Sequence, residues 1–310
     1  MCATCGCGDD SAVRLTLLEP GSSPGSQHGH DPGHHHPGHG HDHGDRSEHG
    51  DHGVHRDDRA DHHHPDQGSA QDHSRRDIAD RTVVLEQQIL AKNASKASRN
   101  RGWLEGRGVF AINLMSSPGA GKTTLLERTI DELADEIDVF VIEGDQETPL
   151  DAERIRASGR PVVQVNTGAG CHLDADMIND ALHRLDPARG SLLVIENVGN
   201  LVCPALFDLG EARRVVLTSV TEGADKPLKY PHMFRGADLV LVNKIDLLPY
   251  VDFDLDRFGA MLRELNPRVP VRSVIATSGN GVQPWLEWVR EQRPQLTVSG
   301  VSLDSMIAPF

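Results

Sequence analysis

Short apolar runs recur along the second two thirds of the chain, and the residues between them have the mixed pattern of amphipathic helices. Such runs, rich in β-branched residues, are typical of buried strands. Strands that alternate with helices indicate a mostly parallel sheet with helices on both faces. We therefore predict an α/β domain over residues 101–295 and a C-terminal tail over 296–310. The runs are VFAINLM, DVFVIE, PVVQVN, SLLVIEN, RRVVLTSV, DLVLVNK and VPVRSVIAT.

A different pattern precedes this domain. Residues 9–74 offer few apolar positions and are dominated by Gly, Pro, Asp, Ser and His. A segment with so little to bury cannot offset its ordering entropy, so we predict a disordered tail there. Apolar residues at roughly helical spacing then predict a helix over residues 75–100 that leads into the domain. The positions that set this spacing are Ile78, Val83, Val84, Leu85, Ile89 and Leu90.

Charge and composition narrow the classes of function. The chain has 310 residues, a formal net charge of -15 and only 4% aromatic residues. Nucleic acids and anionic membranes attract basic surfaces, so neither is predicted as a partner. The sequence lacks both an apolar run of about 18 residues and a secretory leader, which predicts a cytoplasmic protein. Five cysteines, three of them crowded together, favour reduced thiols used for metal binding or catalysis.

A glycine-rich loop follows the first apolar run. SSPGAGKT, residues 116–123, matches the P-loop pattern of nucleoside triphosphatases except that Ser116 replaces the first glycine. Backbone N–H groups of such a loop face phosphate oxygens, and the start of the next helix adds partial positive charge. The flanking strand and helix argue against a chance glycine-rich turn. The predicted nucleotide contacts are Gly119, Ala120, Gly121, Lys122, Thr123 and Thr124.

Acidic residues end two later runs and complete a predicted catalytic set. Lys122 is expected to reach the β- and γ-phosphates, and the Thr123 hydroxyl to ligate Mg²⁺. Asp145 and Glu196 end strands on the side of the sheet where ligands bind, so we predict Asp145 as a second Mg²⁺ ligand and Glu196 as catalytic. Gly199 is predicted to contact the γ-phosphate through its N–H. The alternative for each acid is a helix cap or a loop carboxylate.

The motif NKID predicts which base is bound. It follows a strongly apolar run, and its Asp246 can accept from both the N1–H and the N2 amine of guanine, which adenine does not offer. Lys244 is expected to lie along the base and Asn243 to tie loops together. The segment IATSGNG, with Ser278, is predicted to close over the base. The alternative is a chance surface tetrapeptide, and a small-molecule kinase is disfavoured by this motif.

A second constellation has the residue types of a metal site. Cys171 and His172 are adjacent, and Cys203 follows 32 residues later, just past Gly199. Thiolate and imidazole ligands suit both Ni²⁺ and Zn²⁺, and three ligands leave a coordination position open for transfer. The alternative is that the two cysteines are simply small buried apolar residues.

The N-terminal region offers two further kinds of metal site. Cys2, Cys5 and Cys7, together with the amino group of a processed N-terminus, suffice for a four-coordinate, high-affinity nickel site. A zinc knuckle is the alternative for these thiols. Fifteen of the 18 histidines lie between His28 and His73, which indicates many weak storage sites rather than one defined site. The clearest clusters are His34, His35, His36, His62, His63 and His64.

Together these motifs resemble the hydrogenase nickel-incorporation GTPases, the HypB family of the SIMIBI class of P-loop proteins. The resemblance extends over the segments TGAGCHLDADMI, IENVGNLVCP and VTEGADKPLKYP and over the N-terminal CATCGC. It implies a GTP-dependent metallochaperone that delivers nickel during [NiFe]-hydrogenase maturation. It also implies a nucleotide- or metal-dependent homodimer, a HypA-type nickel chaperone as partner, and the hydrogenase large-subunit precursor as recipient. Without the resemblance, the charges of VTEGADKPLKYP are expected to be solvated.

Two other functions remain compatible with the residues. One is the sister urease-maturation GTPase, which is expected to lack the N-terminal CxxCGC motif and to use a Cys-Pro-His type of site. The other is a nickel store in which nucleotide binding is secondary.

Overall fold

A mostly parallel, eight-stranded sheet forms the centre of the computed structural model, which describes residues 13–20, 68–146 and 148–292. The order of the strands across the sheet is β1-β4-β3-β5-β2-β6-β7-β8, and only β1 runs antiparallel to its neighbour. The strands are β1 (Arg14–Leu18), β2 (Phe110–Ser116), β3 (Val139–Asp145), β4 (Val162–Asn166), β5 (Leu192–Glu196), β6 (Arg213–Ser219), β7 (Leu239–Asn243) and β8 (Val271–Ser273).

Helices alternate with these strands along the chain, which confirms the predicted α/β class. Within the described residues, no helix combines the length and the apolar character that crossing a membrane requires. The helices are α1 (Gly68–Arg107), α2 (Lys122–Leu133), α3 (Leu150–Ala157), α4 (Ala175–Leu185), α5 (Lys226–Lys229), α6 (Pro231–Arg235), α7 (Leu255–Leu265) and α8 (Gln283–Gln292).

Both faces of the sheet are buried under helices. Along β2, Ile112 belongs to an apolar cluster with residues of α2 and α8, such as Leu125. Its neighbour Ala111 points the other way, into a cluster with Leu104 of α1 and Ile178 of α4. A strand that is covered on both sides needs apolar residues at every position, which explains the continuous apolar runs of the sequence.

The chain divides into two compact units. One consists of Met1–Ser22 with Glu86–Phe310 and contains the sheet. The other is Ser23–Leu85, of which the structure describes the first part of α1. The predicted nickel ligands Cys2, Cys5 and Cys7 and the histidine clusters at 34–36 and 62–64 lie outside the described residues, as does the tail 296–310.

The prediction of a disordered tail over residues 9–74 is wrong at β1. This strand pairs antiparallel with β4, from Arg14 opposite Asn166 to Leu18 opposite Val162. Leu15 and Leu18 pack against the apolar clusters on opposite faces of the sheet. The unpaired backbone groups at the edge of a parallel sheet can accept one more strand, and the short run RLTLL supplies it. The average composition of the surrounding segment hid this run.

The lead-in helix is longer at both ends than the predicted range of 75–100. It begins at Gly68, in a polar stretch without the apolar periodicity by which a helix is predicted from sequence. It ends at Arg107 because Gly108 adopts a left-handed conformation, with a φ of 66°, and Val109 N–H donates to the Leu104 carbonyl oxygen.

One glycine determines how closely α1 approaches the loop before β6. Gly210 has a φ of 94°, and a Cβ there would lie 2.7 Å from the Ala97 carbonyl oxygen. Gly159 has a similar φ of 79°, but a Cβ there would meet nothing within 4 Å. The two positions therefore separate the cost of the backbone conformation from the cost of the close approach.

We predict that Gly210→Ala destabilises the chain more than Gly159→Ala. Left-handed backbone alone costs Gly159→Ala about 1–2 kcal/mol of the free energy of unfolding. Gly210→Ala must also move α1 away from the loop, so we expect a loss of more than about 3 kcal/mol. Urea unfolding of both variants measures this difference, and equal losses would contradict the close approach.

Candidate nucleotide and metal sites

The predicted P-loop lies between β2 and the first turn of α2, at the carboxyl end of the sheet. Gly121 precedes α2 in a left-handed conformation with a φ of 100°. The Lys122 ammonium donates to the Ser116 hydroxyl over 3.0 Å. Ser116 is completely buried at the end of β2, so the residue that departs from the strict pattern holds the lysine inside the loop.

Asn243 ties the P-loop to the loop after β8. Its side-chain N–H donates to the Ala120 carbonyl oxygen over 2.9 Å, and its Oδ1 accepts from the Ala276 N–H over 3.0 Å. A Cβ at Gly121 would lie 2.6 Å from the Asn243 amide nitrogen. This contact therefore requires glycine at position 121, and it gives Asn243 the connecting role that was predicted for it.

A cavity of about 200 Å³ lies beside the P-loop. Lys244 borders it in a left-handed conformation, and its ammonium donates to the Gly119 carbonyl oxygen over 2.7 Å. Ser278 lies one residue beyond the lining residues of its loop, so its predicted contact with the base stays a prediction. The cavity is lined by Gly121, Thr124, Asn243, Lys244, Asp246, Leu247, Ile275, Ala276 and Thr277.

Two buried carboxyl groups face each other across neighbouring strands next to the P-loop. Glu143 of β3 and Glu196 of β5 are direct partners in the strand register. The Thr123 hydroxyl donates to Glu196 Oε1 over 2.8 Å. The second oxygen of each carboxyl group, Oε2, is buried without a hydrogen-bond partner among the described residues.

Burial changes the protonation of both carboxyl groups. The pKa of Glu143 is raised to about 9, mainly by burial and also by the charge of the nearby Glu196, while Lys122 opposes the shift. Burial also raises the pKa of Glu196 to about 7, against the opposing effects of Lys122 and of the Thr123 hydrogen bond. In the absence of a cation, Glu143 is therefore protonated at neutral pH.

These oxygens fit a Mg²⁺ ion, which prefers oxygen ligands. The Thr123 hydroxyl is hydrogen-bonded to Glu196, and the neighbouring Glu143 Oε2 has no hydrogen-bond partner among the described residues. Asp145 is differently engaged: its carboxylate accepts from the backbone N–H groups of Gln146 and Thr148. The predicted role of Asp145 as a Mg²⁺ ligand stays a prediction. Glu143 was missed as a site residue, although its place near the end of β3 was a usable signal.

Lys226 also approaches the P-loop, against the expectation of a solvated charge. Its ammonium donates to the Ser117 hydroxyl over 3.1 Å and lies 3.4 Å from Glu222 Oε2. The Ser117 hydroxyl in turn donates to the same Glu222 oxygen over 2.7 Å. The prolines that bound this charged loop suggested solvated charges, whereas Lys226 begins a short helix, α5, and its side chain reaches the P-loop.

Residues 196–203, here called the linking segment, run from the carboxyl cluster past the P-loop. A Cβ at Gly199 would lie 3.0 Å from the Pro118 Cα, so a side chain at this position would crowd the P-loop. Asn197 Oδ1 accepts from the Leu173 N–H over 3.3 Å. Asn200 donates to the Cys171 carbonyl oxygen over 3.3 Å. The segment therefore also holds the loop that carries Cys171 and His172.

The structure brings together the three predicted ligands Cys171, His172 and Cys203. The two sulfur atoms are 3.0 Å apart, and His172 Nδ1 lies 3.7 Å from the Cys171 sulfur. One donor atom from each residue lies within 4.8 Å of the others, a spacing that a single metal ion can bridge. That they bind a metal stays a prediction.

The His172 ring is held in a position that favours ligation. It packs against the Phe207 ring at a centroid distance of 4.0 Å. Burial lowers the pKa of His172, although Asp174 opposes the shift. The imidazole is therefore neutral at pH 7, which is the form that binds metal ions.

The raised pKa of Glu143 predicts how stability depends on pH. The folded chain binds a proton at Glu143 that the unfolded chain has lost above the ordinary pKa of about 4.5, so the free energy of unfolding falls as the pH rises toward about 9. We predict that the change in the free energy of unfolding caused by Glu143→Gln, measured on the nucleotide-free chain, is more stabilising at about pH 8 than at about pH 5.

Urea unfolding at the two pH values, without Mg²⁺, measures this effect. Glu153→Gln, at an exposed position on α3, is the matched control and should show no such dependence. The same stability change for Glu143→Gln at both pH values would contradict the raised pKa.

Known proteins share both the sequence and the fold. The family described as CobW/HypB/UreG, nucleotide-binding domain, matches residues 110–273. A hydrogenase maturation factor HypB of Azotobacter vinelandii is 55% identical over 230 residues, which cover 74% of this chain and 76% of the relative. The factor of the same name from Escherichia coli strain K12 is 55% identical over 213 residues, covering 69% of this chain and 73% of that protein.

Two solved structures agree with the fold. The crystal structure of hydrogenase maturation factor HypB from Archaeoglobus fulgidus has a TM-score of 0.62 and 40% identity, covering 66% of this chain and all of that one. HypB from Helicobacter pylori, crystallised in complex with nickel, has a TM-score of 0.63 and 37% identity, covering 65% of this chain and 95% of that one. This chain therefore belongs to the CobW/HypB/UreG family of nucleotide-binding proteins and, within that family, to the HypB group.

Proposed function

We propose that this protein is a GTP-hydrolysing nickel chaperone that serves [NiFe]-hydrogenase maturation. The observation that carries the proposal is the linking segment, residues 196–203. At one end Glu196 accepts the hydrogen bond of the P-loop residue Thr123. At the other end Cys203 meets Cys171 of the metal cluster. A change at the nucleotide can therefore reach the metal through eight consecutive residues.

Guanine nucleotide is the proposed substrate. Asp246 lies at the cavity beside the P-loop and presents a carboxylate to the base, while Asn243 and Lys244 hold the surrounding loops. Lys122 and the N–H groups of the P-loop would bind the phosphates. A water molecule then attacks the γ-phosphorus, the bond to the bridging oxygen of GDP breaks, and inorganic phosphate leaves.

The oxygens beside the P-loop would hold Mg²⁺ with the nucleotide. Thr123 and Glu196 are the proposed nearest groups, together with Asp145 as predicted from the sequence. When bound, the cation neutralises charge on the phosphates. A cation would also lower the pKa of Glu196 and of Glu143, because it favours the ionised carboxylates. Glu196 would then be charged and able to orient water or support the cation.

Nickel is the proposed cargo of Cys171, His172 and Cys203. Two thiolates and a neutral imidazole suit Ni²⁺, and they suit Zn²⁺ as well. The nickel-bound relative from Helicobacter pylori supports nickel as the ion of this family. Cys2, Cys5 and Cys7 are proposed as a separate, tighter nickel site, and the histidine-rich segment as a store of weaker sites.

The hydrogenase role is supported by the relatives named hydrogenase maturation factors. As part of the proposal, the protein acts in the cytoplasm as a nucleotide- or metal-dependent homodimer. It exchanges nickel with a HypA-type chaperone and delivers nickel to the hydrogenase large-subunit precursor. A relative of 41% identity from Helicobacter hepaticus is named as a hydrogenase/urease maturation factor, so supply of a urease is the second candidate.

We predict that Asp246→Asn weakens binding of GDP by about 100-fold or more. The amide of the variant keeps one acceptor oxygen but turns its N–H₂ group toward the guanine amine. It therefore loses one of two hydrogen bonds to a charged acceptor, worth about 1.5–3 kcal/mol each, and weakens the other. An amide N–H at this position suits the C2 carbonyl of xanthine, so affinity for xanthosine diphosphate should rise. Fluorescence titration with each nucleotide measures the two affinities. Asp256→Asn, at an exposed position on α7, is the control, and unchanged GDP affinity in Asp246→Asn would contradict guanine recognition by this residue.

The proposed function itself is tested by GTP turnover with and without Ni²⁺. The chain used is full-length with Cys2→Ala, Cys5→Ala and Cys7→Ala, so that Cys171 and Cys203 are the remaining thiols. We expect this chain to hydrolyse GTP faster than ATP. We also expect stoichiometric Ni²⁺ to change the rate of GTP hydrolysis, because the linking segment joins the nucleotide site to the proposed nickel site.

The same assay on the chain that also carries Cys203→Ser separates the possible outcomes. This variant should keep its basal turnover and lose the response to Ni²⁺. The absence of GTP turnover in both chains would contradict the GTPase and favour the alternative function, a nickel store. A rate of GTP turnover that Ni²⁺ changes in neither chain would indicate a GTPase without the proposed coupling.

A further inference from the structure

Two loops must meet for the metal cluster to form. One loop carries Cys171 and His172 and runs into α4 at Ala175. The other carries Cys203 and runs through Asp208 and Leu209 toward β6. Helix α1, which belongs to neither loop and contributes no ligand to this cluster, contacts both of them through two side-chain amides.

The first amide is that of Asn93. Its Oδ1 accepts from the Ala175 N–H over 2.9 Å, three residues after His172. Its side-chain N–H donates to the Asp208 carbonyl oxygen over 2.7 Å, five residues after Cys203. One carboxamide group, only 7% exposed, thus joins the backbones of both loops.

The second amide is that of Asn100, two helical turns further on the same face of α1. Its side-chain N–H group donates to the carbonyl oxygens of Ala175 and Leu209, over 2.8 and 3.0 Å. Its Oδ1 accepts from Asn179 of α4 over 3.1 Å. Asn100 is completely buried, so the loss of any of these bonds would leave a buried polar group without a partner.

These bonds restrict the positions of the donor atoms. The sulfurs of Cys171 and Cys203 are 3.0 Å apart although they lie on different loops. The His172 ring packs on Phe207, the residue that immediately precedes Asp208. A displacement of either loop along α1 would therefore change the distance between sulfurs and the position of the imidazole together. Groups that orient metal ligands typically change metal affinity by 10- to 100-fold when they are mutated.

We propose that Asn93 and Asn100 are positioning residues for the metal cluster of Cys171, His172 and Cys203. They join the two loops that carry the ligands and thereby set the metal affinity of the cluster. The inference rests on the proposed nickel binding at that cluster. It assigns to α1 a role in metal binding that is separate from the nucleotide site, because neither amide contacts the P-loop or the guanine cavity.

The test uses the full-length chain with Cys2→Ala, Cys5→Ala and Cys7→Ala as the parent. In this chain, thiolate-to-nickel charge-transfer absorption arises from Cys171 and Cys203, so titration with Ni²⁺ reports on this cluster despite the histidines. Asn93→Ala should lower the Ni²⁺ affinity by about tenfold or more and alter the absorption band. Its affinity for GDP should equal that of the parent.

Two further variants separate positioning from general stability. Asn93→Asp keeps an acceptor for the Ala175 N–H and loses the donor to Asp208, so its Ni²⁺ affinity should lie between those of the parent and Asn93→Ala. Asn266 is the matched control, because its amide donates to the carbonyl oxygens of Phe234, Arg235 and Ala237 and to neither ligand loop. Asn266→Ala should lower the free energy of unfolding and leave the Ni²⁺ affinity unchanged.

Each result decides between the alternatives. Parent-like Ni²⁺ affinity and absorption in Asn93→Ala would overturn the inference, and so would an equal loss of affinity in Asn266→Ala. If Asn93→Ala does not fold, Asn93→Asp gives the decisive comparison with the parent. A parent that shows no thiolate–nickel absorption would instead refute the proposed nickel cluster, which distinguishes that failure from a failure of the positioning role.

Discussion

The hydrogen bond from the Thr123 hydroxyl to the buried carboxyl group of Glu196 joins the P-loop to the segment that leads to Cys203. It joins the P-loop helix to the end of β5, in a place where burial opposes the charge of the acid. Glu143 shares this constraint from the neighbouring strand. Buried acids with unpartnered oxygens are costly in the empty state and become favourable beside a cation, so the site is prepared for a charged ligand.

In the proposed coupling, the same contact connects the nucleotide site to the predicted metal ligands. Beyond Glu196, the linking segment touches Pro118 at Gly199, holds the loop of Cys171 through Asn197 and Asn200, and ends at Cys203. In the proposed coupling, a rearrangement around Glu196 would displace the groups that hold the loop of Cys171. On the opposite side, α1 fixes the same loops through Asn93 and Asn100. The cluster of Cys171, His172 and Cys203 thus lies between a segment that contacts the P-loop residue Thr123 and a helix whose two amides do not contact the P-loop.

Much of this architecture could be predicted from sequence because its signals are local. A strand that is buried on both faces must be apolar throughout, and a phosphate loop must contain glycines at fixed positions, as at Gly121. The strand β1 could not be predicted in this way, because its pairing depends on the distant edge strand β4. Asn93 was missed for a related reason: helix packing, rather than residue type, brings it to the loops of the predicted metal ligands. Glu143 was missed although its position near the end of β3 was a usable signal, and the register of β3 and β5 places it opposite Glu196.

The central claim is that nucleotide and nickel sites are coupled through residues 196–203. Its most direct test is the Ni²⁺ affinity of the chain with Cys2→Ala, Cys5→Ala and Cys7→Ala, measured once with Mg²⁺ and GDP and once with Mg²⁺ and a non-hydrolysable GTP analogue. Coupling between sites typically changes affinity by about 5- to 150-fold, and we expect a difference within this range. The same Ni²⁺ affinity with both nucleotides would contradict the claim.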